Sequence, residues 1–268
     1  MKYGFIGCGN MGGAVARALS KATKDILITD RSGKAKALAE ALSISYGDNE
    51  TVATECDRIF LCVKPQMMAD VLRPLQGILT ERKPLLITMA AGLSLAKIED
   101  MAGTALPILR IMPNTPVAVG KGMIPYCRNC LVTDGELSEI VEDLHFAGKL
   151  DAIDETLMDA ASALSGCGPA FMYMFLEALA KGAVACGLPW EKALDYAATT
   201  MAGAAEMTLT SNLHPSALKD AVCSPGGSTI EGVKSLEQNG FAGVVMDCIA
   251  ASYAKTKILG NAAAEKKE

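Results

Sequence analysis

The residues best equipped for chemistry begin at Gly7. Gly7-Cys8-Gly9-Asn10-Met11-Gly12 has the spacing Gly-x-Gly-x-x-Gly, follows the apolar run Tyr3 to Ile6 and opens a helical pattern. In that setting Gly7 permits a tight turn, Gly9 lets backbone approach a pyrophosphate, and Gly12 brings helix close to strand. The helix N-terminus adds N–H donors and positive potential. Asp30 stands roughly 20 residues beyond the last glycine, where an acidic side chain binds the adenosine ribose diol of NAD. The neighbours Arg31 and Ser32, with Lys34 and Lys36 close by, instead offer charge-assisted hydrogen bonds to a 2′-phosphate, which favours NADP. On the residues alone both coenzymes stay open, and Lys34 and Lys36 also read as a solvated helix face.

Three later segments follow further apolar runs: Cys62-Val63-Lys64-Pro65, Ala90-Ala91-Gly92, and Met112-Pro113-Asn114-Thr115-Pro116. All fall where ligands collect in open α/β sheets, outside the carboxyl ends of the strands. Lys64 reads either as a contact to a cofactor or substrate anion or as a surface lysine. Asn114 either bonds nicotinamide or ribose or braces the turn. Ser224-Pro225-Gly226-Gly227-Ser228-Thr229 leads into a helical pattern from Ile230, and its N–H groups suit a carboxylate as well as a simple helix cap. Ser165-Gly166-Cys167-Gly168-Pro169-Ala170 reads as a second helix opening. Cys127 and Cys130 have the C-x-x-C spacing without a second cysteine pair or a nearby histidine, so they make no zinc site. His145 and His214 lack a Ser or Cys partner at an informative spacing, which leaves a hydrolytic triad unsupported.

The elements that must position these residues fall into two kinds. Up to about Met112, apolar runs at Tyr3 to Ile6, Ile26 to Ile28, Ile59 to Val63, Leu85 to Met89 and Ile108 to Met112 alternate with helical patterns, which implies a parallel sheet. Met11, Val15, Ala18 and Leu19 mark one face of the first helix, the face that should lie on that sheet. Residues 113–150 are less regular, because Pro113, Pro116 and Pro125 break the pattern before a helix expected from Glu136 to His145. Beyond Glu155 only helical segments rich in Ala, Leu and Met remain. The fold expected is therefore α/β: a doubly wound, mostly parallel Rossmann domain over 1–153, then an all-α domain over 154–268 with the boundary near Asp151 to Asp154. Phe171 to Ala185 is apolar on more than one face, more than a small helical domain buries alone, and this predicts a homo-oligomer, with a compact monomeric bundle as the alternative. Residues 265–268 read as a frayed tail.

Composition narrows the function classes. The chain has 268 residues, 50% apolar but only 5% aromatic, so disorder is excluded and the core must come from Ala, Val, Ile, Leu and Met. A net charge of −5 provides no basic field for a polyanion, so nucleic acid is not an expected partner. Nine scattered cysteines and an N-terminus without a basic segment leading into an apolar one predict a reduced, cytoplasmic protein. The longest uncharged stretch, Ala160 to Leu176, is interrupted by Ser165 to Pro169 and reads as too short to span a membrane.

Together these motifs resemble the pyrroline-5-carboxylate reductase family nearly end to end. The resemblance is carried by Ile6 to Gly12, Val63-Lys64-Pro65, Ala90-Ala91-Gly92, Arg110 to Pro116, Leu164 to Ala170 and, most specifically, Leu218-Lys219-Asp220-Ala221-Val222-Cys223-Ser224-Pro225-Gly226-Gly227-Ser228-Thr229-Ile230-Glu231-Gly232. It implies reduction of 1-pyrroline-5-carboxylate to L-proline by NADPH, or in some members NADH, in an interlocked homodimer that can assemble into a decamer. It also implies a cofactor site lined by Ile6, Gly7, Cys8, Gly9, Asn10, Met11, one among Asp30, Arg31 and Ser32, and Asn49, Cys62, Lys64 and Met89. Val222, Ser224, Gly227, Ser228 and Thr229 would contact the substrate, with Thr229 the hydrogen-bond partner of the ring nitrogen. Ala242 and Cys167 depart from the common family residues. Two rival readings are a β-hydroxyacid dehydrogenase, which would need a lysine where Met172 stands four residues after Gly168, and a non-catalytic protein that senses NADP.

Overall fold

The computed structural model describes residues 2–265, so the expected frayed tail lies outside the described residues beyond Glu265. The strands are β1 (Tyr3–Ile6), β2 (Ile26–Thr29), β3 (Ser45–Tyr46), β4 (Arg58–Leu61), β5 (Leu85–Thr88), β6 (Ile108–Ile111), β7 (Gly122–Arg128) and β8 (Gly148–Ala152). They form one eight-stranded sheet in the order β3-β2-β1-β4-β5-β6-β7-β8. Every pairing is parallel except β6 with β7. β1, β2, β4, β5 and β6 are buried along their whole length, as a parallel sheet covered on both faces requires.

Helices cover those faces because their apolar residues recur on one side. α1 (Asn10–Leu19) and α2 (Lys34–Leu42) bury Val15, Ala16, Ala18, Leu19, Ala35 and Ala39 on the face that carries Phe5, Ile28 and Phe60. α7 (Asp134–Asp143) adds Ile140 to this layer. On the opposite face α3 (Asn49–Glu55), α4 (Met68–Leu72), α5 (Gln76–Arg82) and α6 (Leu95–Ala102) pack on Ile6, Leu27, Ile59, Leu61 and Leu86. Phe5 and Phe60 stack with ring centroids 4.3 Å apart, next to the point where the order of connections reverses across β1.

Two expectations are corrected. Residues 113–150 hold two strands as well as the helix. Pro125 sits inside β7 because it lacks only a donor; its carbonyl still accepts from Met112 N at 2.8 Å. The interruption expected at Ser165 to Pro169 is absent. After the short α8 (Met158–Ala161) the chain widens into a π turn over Ser162–Gly166, with Cys167 N donating to Ser162 O, and continues as α9 (Gly168–Ala185). Pro169 lies in the first turn of α9 and has no N–H for Ser165 O four residues before it. As a result Glu155–Ala185 is, among the described residues, one helical run long and apolar enough to cross a bilayer by length and composition.

The chain divides into a first unit of residues 1–167 with 252–268, and a second unit of Gly168–Ala251. Residues 154–167 stay with the sheet, past the expected boundary, for an electrostatic reason. Arg110, buried in β6, donates to Glu155 Oε1 and Asp159 Oδ1, each at 3.2 Å. The second unit contains α9, α10 (Trp190–Thr210), α11 (Pro215–Val222), α12 (Ser228–Gln238) and the beginning of α13 (Phe241–Glu265). In it α9 buries only Ala180 and α10 only Ala193, while Met174, Leu209 and Met246 are 70%, 75% and 71% exposed. A set of apolar helices this open needs cover, in keeping with the homo-oligomer that the apolar faces of Phe171 to Ala185 predict.

Candidate active site

In the first unit the dinucleotide loop extends the carboxyl end of β1. Gly7 N donates to Thr29 O and Cys62 N to Ile6 O, both at 2.9 Å, which fixes the loop between β2 and β4 at the switch point. Gly12 is obligatory: a Cβ there would lie 2.3 Å from Gly7 O and 2.8 Å from Cys62 Cβ. Gly9 faces open space, with nothing within 4 Å of a built Cβ, so an incoming diphosphate can reach the backbone. α1 starts without a side-chain cap or an acidic residue in its first turn, leaving its N–H groups and dipole available to an anion.

The thiols beside the loop add no competing charge. Burial, and secondarily the Asp30 carboxylate, push the Cys8 thiol up to about 12, and burial with Cys8 nearby raises Cys62 well above its ordinary value. Asp30 accepts from Ser32 Oγ at 2.7 Å through Oδ2, while its Oδ1 is buried without a hydrogen-bond partner. Arg31, Ser32, Lys34 and Lys36 are exposed around it. The residues present thus fit a nicotinamide dinucleotide, with a diphosphate at α1 and cationic and hydroxyl donors beside Asp30.

Asn49 begins α3 half-buried, behind the cap that Asp48 gives to Thr51 N at 2.7 Å. Lys64 is exposed at the end of the β4 connection, and Met89 is half-buried directly after β5. Asn114 is 8% exposed and committed at both ends of its amide: Nδ2 donates to Ser165 O and Oδ1 accepts from Met123 N, each at 3.0 Å. Those bonds make it a brace. Ser165 O needs one because Pro169, four residues on, has no N–H to offer it.

In the second unit Gly226 adopts φ +70° and Gly227 N closes onto Ser224 O at 3.0 Å. The turn delivers the chain to α12 with no side chain capping the first helical turn, and Val222, Ser224, Ser228 and Thr229 are exposed around it. Such an end offers backbone N–H donors with a hydroxyl beside them, and Glu231 stands in the same first turn. Both histidines are exposed and use Nδ1 locally: His145 Nδ1 pairs with Glu142 O, and His214 Nδ1 accepts from Ser216 N. Cys127 is buried and Cys130 exposed, so the C-x-x-C pair is split.

Sequence reasoning missed the ion pairs of Arg110 and those of Arg58, which is 2% exposed and reaches Tyr3 Oη, Glu139 and Asp143. The available signal was an arginine within each of two otherwise apolar strands. It also missed the close approach of Gly92 and Gly260, for which the sequence carries no signal.

The glycine loop and the switch point define a dinucleotide-binding fold of the Rossmann class. Residues 2–92 match the model described as NADP oxidoreductase, coenzyme F420-dependent, and residues 155–259 match pyrroline-5-carboxylate reductase dimerisation. The chain is 38% identical to pyrroline-5-carboxylate reductase of Aquifex aeolicus, covering 97% of both chains, and 36% identical to that of Escherichia coli, covering 96% and 98%. A crystal structure of Plasmodium falciparum pyrroline carboxylate reductase with NADP bound superposes with a TM-score of 0.88 at 35% identity, over 97% of this chain and 98% of that one. The chain belongs to the pyrroline-5-carboxylate reductase family, and it is an NADP-dependent oxidoreductase. The dimerisation match falls on the segment whose apolar helices are open, in keeping with oligomer formation.

Proposed function

We propose that the turn from Val222 to Thr229 holds 1-pyrroline-5-carboxylate for reduction to L-proline, with NADPH seated on Ile6 to Gly12. The uncapped first turn of α12 carries this reading, because it offers N–H donors for a carboxylate and a threonine hydroxyl beside them. Reduction of a cyclic imine requires a hydride at carbon and a proton at nitrogen, and the imine is more electrophilic once protonated. When bound, NADPH supplies the hydride. Ser228 and Thr229 hold the carboxylate through backbone N–H groups with Val222, Ser224 and Gly227 shaping the turn, and the Thr229 hydroxyl hydrogen-bonds the ring nitrogen. No strong base is needed, which suits a turn built from Ser, Gly and Thr.

For the coenzyme, Arg31 and Ser32 take the 2′-phosphate and Asp30 the ribose, NADH being accepted through Asp30 alone. Asn49, Cys62, Lys64 and Met89 line the remainder, and Asn114 braces the turn after β6. Residues 1–153 seat the coenzyme, and residues 154–268 include the substrate turn and the helices that dimerise. A second copy of the chain, rather than lipid, covers the apolar helices, and five such dimers make the decamer. The cytoplasm suits Cys8, Cys56, Cys62 and Cys127, which are free thiols.

The test is loss of reduced-nicotinamide absorbance with 1-pyrroline-5-carboxylate, using NADPH and NADH in parallel, with the mass of the assembly read by light scattering. Proline should accumulate, and Thr229→Ala should lower kcat by about 10- to 1000-fold with NADPH affinity retained. Tight NADPH binding without turnover would favour the sensor reading; unchanged kcat in Thr229→Ala would remove that residue from the mechanism.

A further inference from the structure

Gly92 and Gly260 bring backbone onto backbone between segments far apart in sequence. Gly92, at φ +75°, ends the stretch Met89-Ala90-Ala91-Gly92 that leaves β5, and Gly260 lies near the end of α13. A Cβ built on Gly260 would stand 2.4 Å from Gly92 O and 2.9 Å from Gly92 Cα; one built on Gly92 would stand 2.6 Å from Gly260 Cα. The nearest atoms are main-chain atoms, so no flexible side chain can yield. Lys97, the third residue of α6, donates from Nζ to Gly260 O at 2.9 Å and fastens the contact. From within, Ala90 N donates to Thr88 Oγ1 at 3.3 Å and Leu93 N to Ala90 O at 3.4 Å. The stretch is thereby clamped between its own turn and the end of α13.

We propose that Gly260 and Lys97 are positioning residues for the coenzyme: they hold residues 89–92 against displacement, so that Met89 keeps its place along the nicotinamide nucleotide. This rests on the reading of Met89 as a coenzyme contact. A purely packing role would lower stability and leave NADPH affinity unchanged, whereas a positioning role weakens NADPH binding at unchanged oligomer mass.

The experiment measures NADPH dissociation constants by coenzyme fluorescence on the full chain in four variants. Gly260→Ala should raise the constant about tenfold, since the added methyl must push the Gly92 backbone aside. Lys97→Met, which keeps the stem and removes the bond, should raise it about threefold and decides the question if Gly260→Ala does not fold. Gly77→Ala, whose Cβ meets nothing within 4 Å in α5, should bind as the unsubstituted protein does. Normal binding in Gly260→Ala and Lys97→Met beside weakened binding in Met89→Ala would overturn the proposal. Normal binding in Met89→Ala would overturn the coenzyme assignment on which it rests.

Discussion

Replacing Asn114 by alanine orphans two backbone groups at once: the Ser165 carbonyl and the Met123 N–H, each now 3.0 Å from the amide. A fully buried, unpaired backbone group costs about 1–3 kcal/mol; Ser165 and Met123 are half-buried, so the two together should cost about 1–3 kcal/mol in Asn114→Ala. The two halves can be separated. Asn114→Asp keeps an acceptor for Met123 N but sets a carboxylate against the Ser165 carbonyl, so it should recover little. Pro169→Ala gives the residue four positions after Ser165 an N–H, and with it an alternative donor for that carbonyl. In the Pro169→Ala background, Asn114→Ala should therefore cost about 1 kcal/mol less than it does alone. Urea unfolding at one fixed protein concentration measures all four corners of the cycle, which keeps the contribution of oligomerisation constant. Strict additivity would refute the idea that Asn114 replaces the donor that Pro169 lacks.

Gly12→Ala places a methyl 2.3 Å from Gly7 O, so the dinucleotide loop must shift; NADPH titration should show affinity reduced by about tenfold or more. Cys56 is fully buried, and burial pushes its thiol from 9.0 up to about 12. Because the folded state holds this proton longer than the unfolded state, the stability it contributes is complete below pH 9 and is lost as pH rises towards 12. Over that window the unsubstituted protein should lose about 1.4 kcal/mol per pH unit relative to Cys56→Ala, as read from paired urea titrations. A pH-independent difference would show that the thiol is not desolvated.

The strands that sequence made legible are those buried from end to end. β1, β2, β4, β5 and β6 appear as short apolar runs because both faces are covered. β3 is two exposed residues, Ser45 and Tyr46, too short for any period, and β7 contains a proline that usually signals a break. β8 mixes Lys149 and Asp151 with Leu150, and only its pairing with β7 makes it a strand. The dinucleotide loop was legible because each glycine answers a separate steric need. The substrate turn was legible chiefly through its family resemblance, since an uncapped helix start alone has no specificity. What remained hidden depends on partners distant in sequence: Arg110 with Asp159, Asn114 with Ser165, Gly92 with Gly260.

The first unit is discontinuous along the chain, and Gly260 belongs to its later piece. During synthesis from the N-terminus, the sheet and its covering helices are made first, then the whole second unit, and only afterwards the residue that backs Gly92. Residues 89–92 must wait for that closure, a loop of high sequence separation that is slow to form. On the proposal that Met89 contacts the coenzyme, a nascent chain stopped after β8 would hold the glycine loop of a dinucleotide fold while residues 89–92 still lacked their backing. Cutting the gene at the end of the sheet would not yield a smaller coenzyme-binding protein with the same affinity.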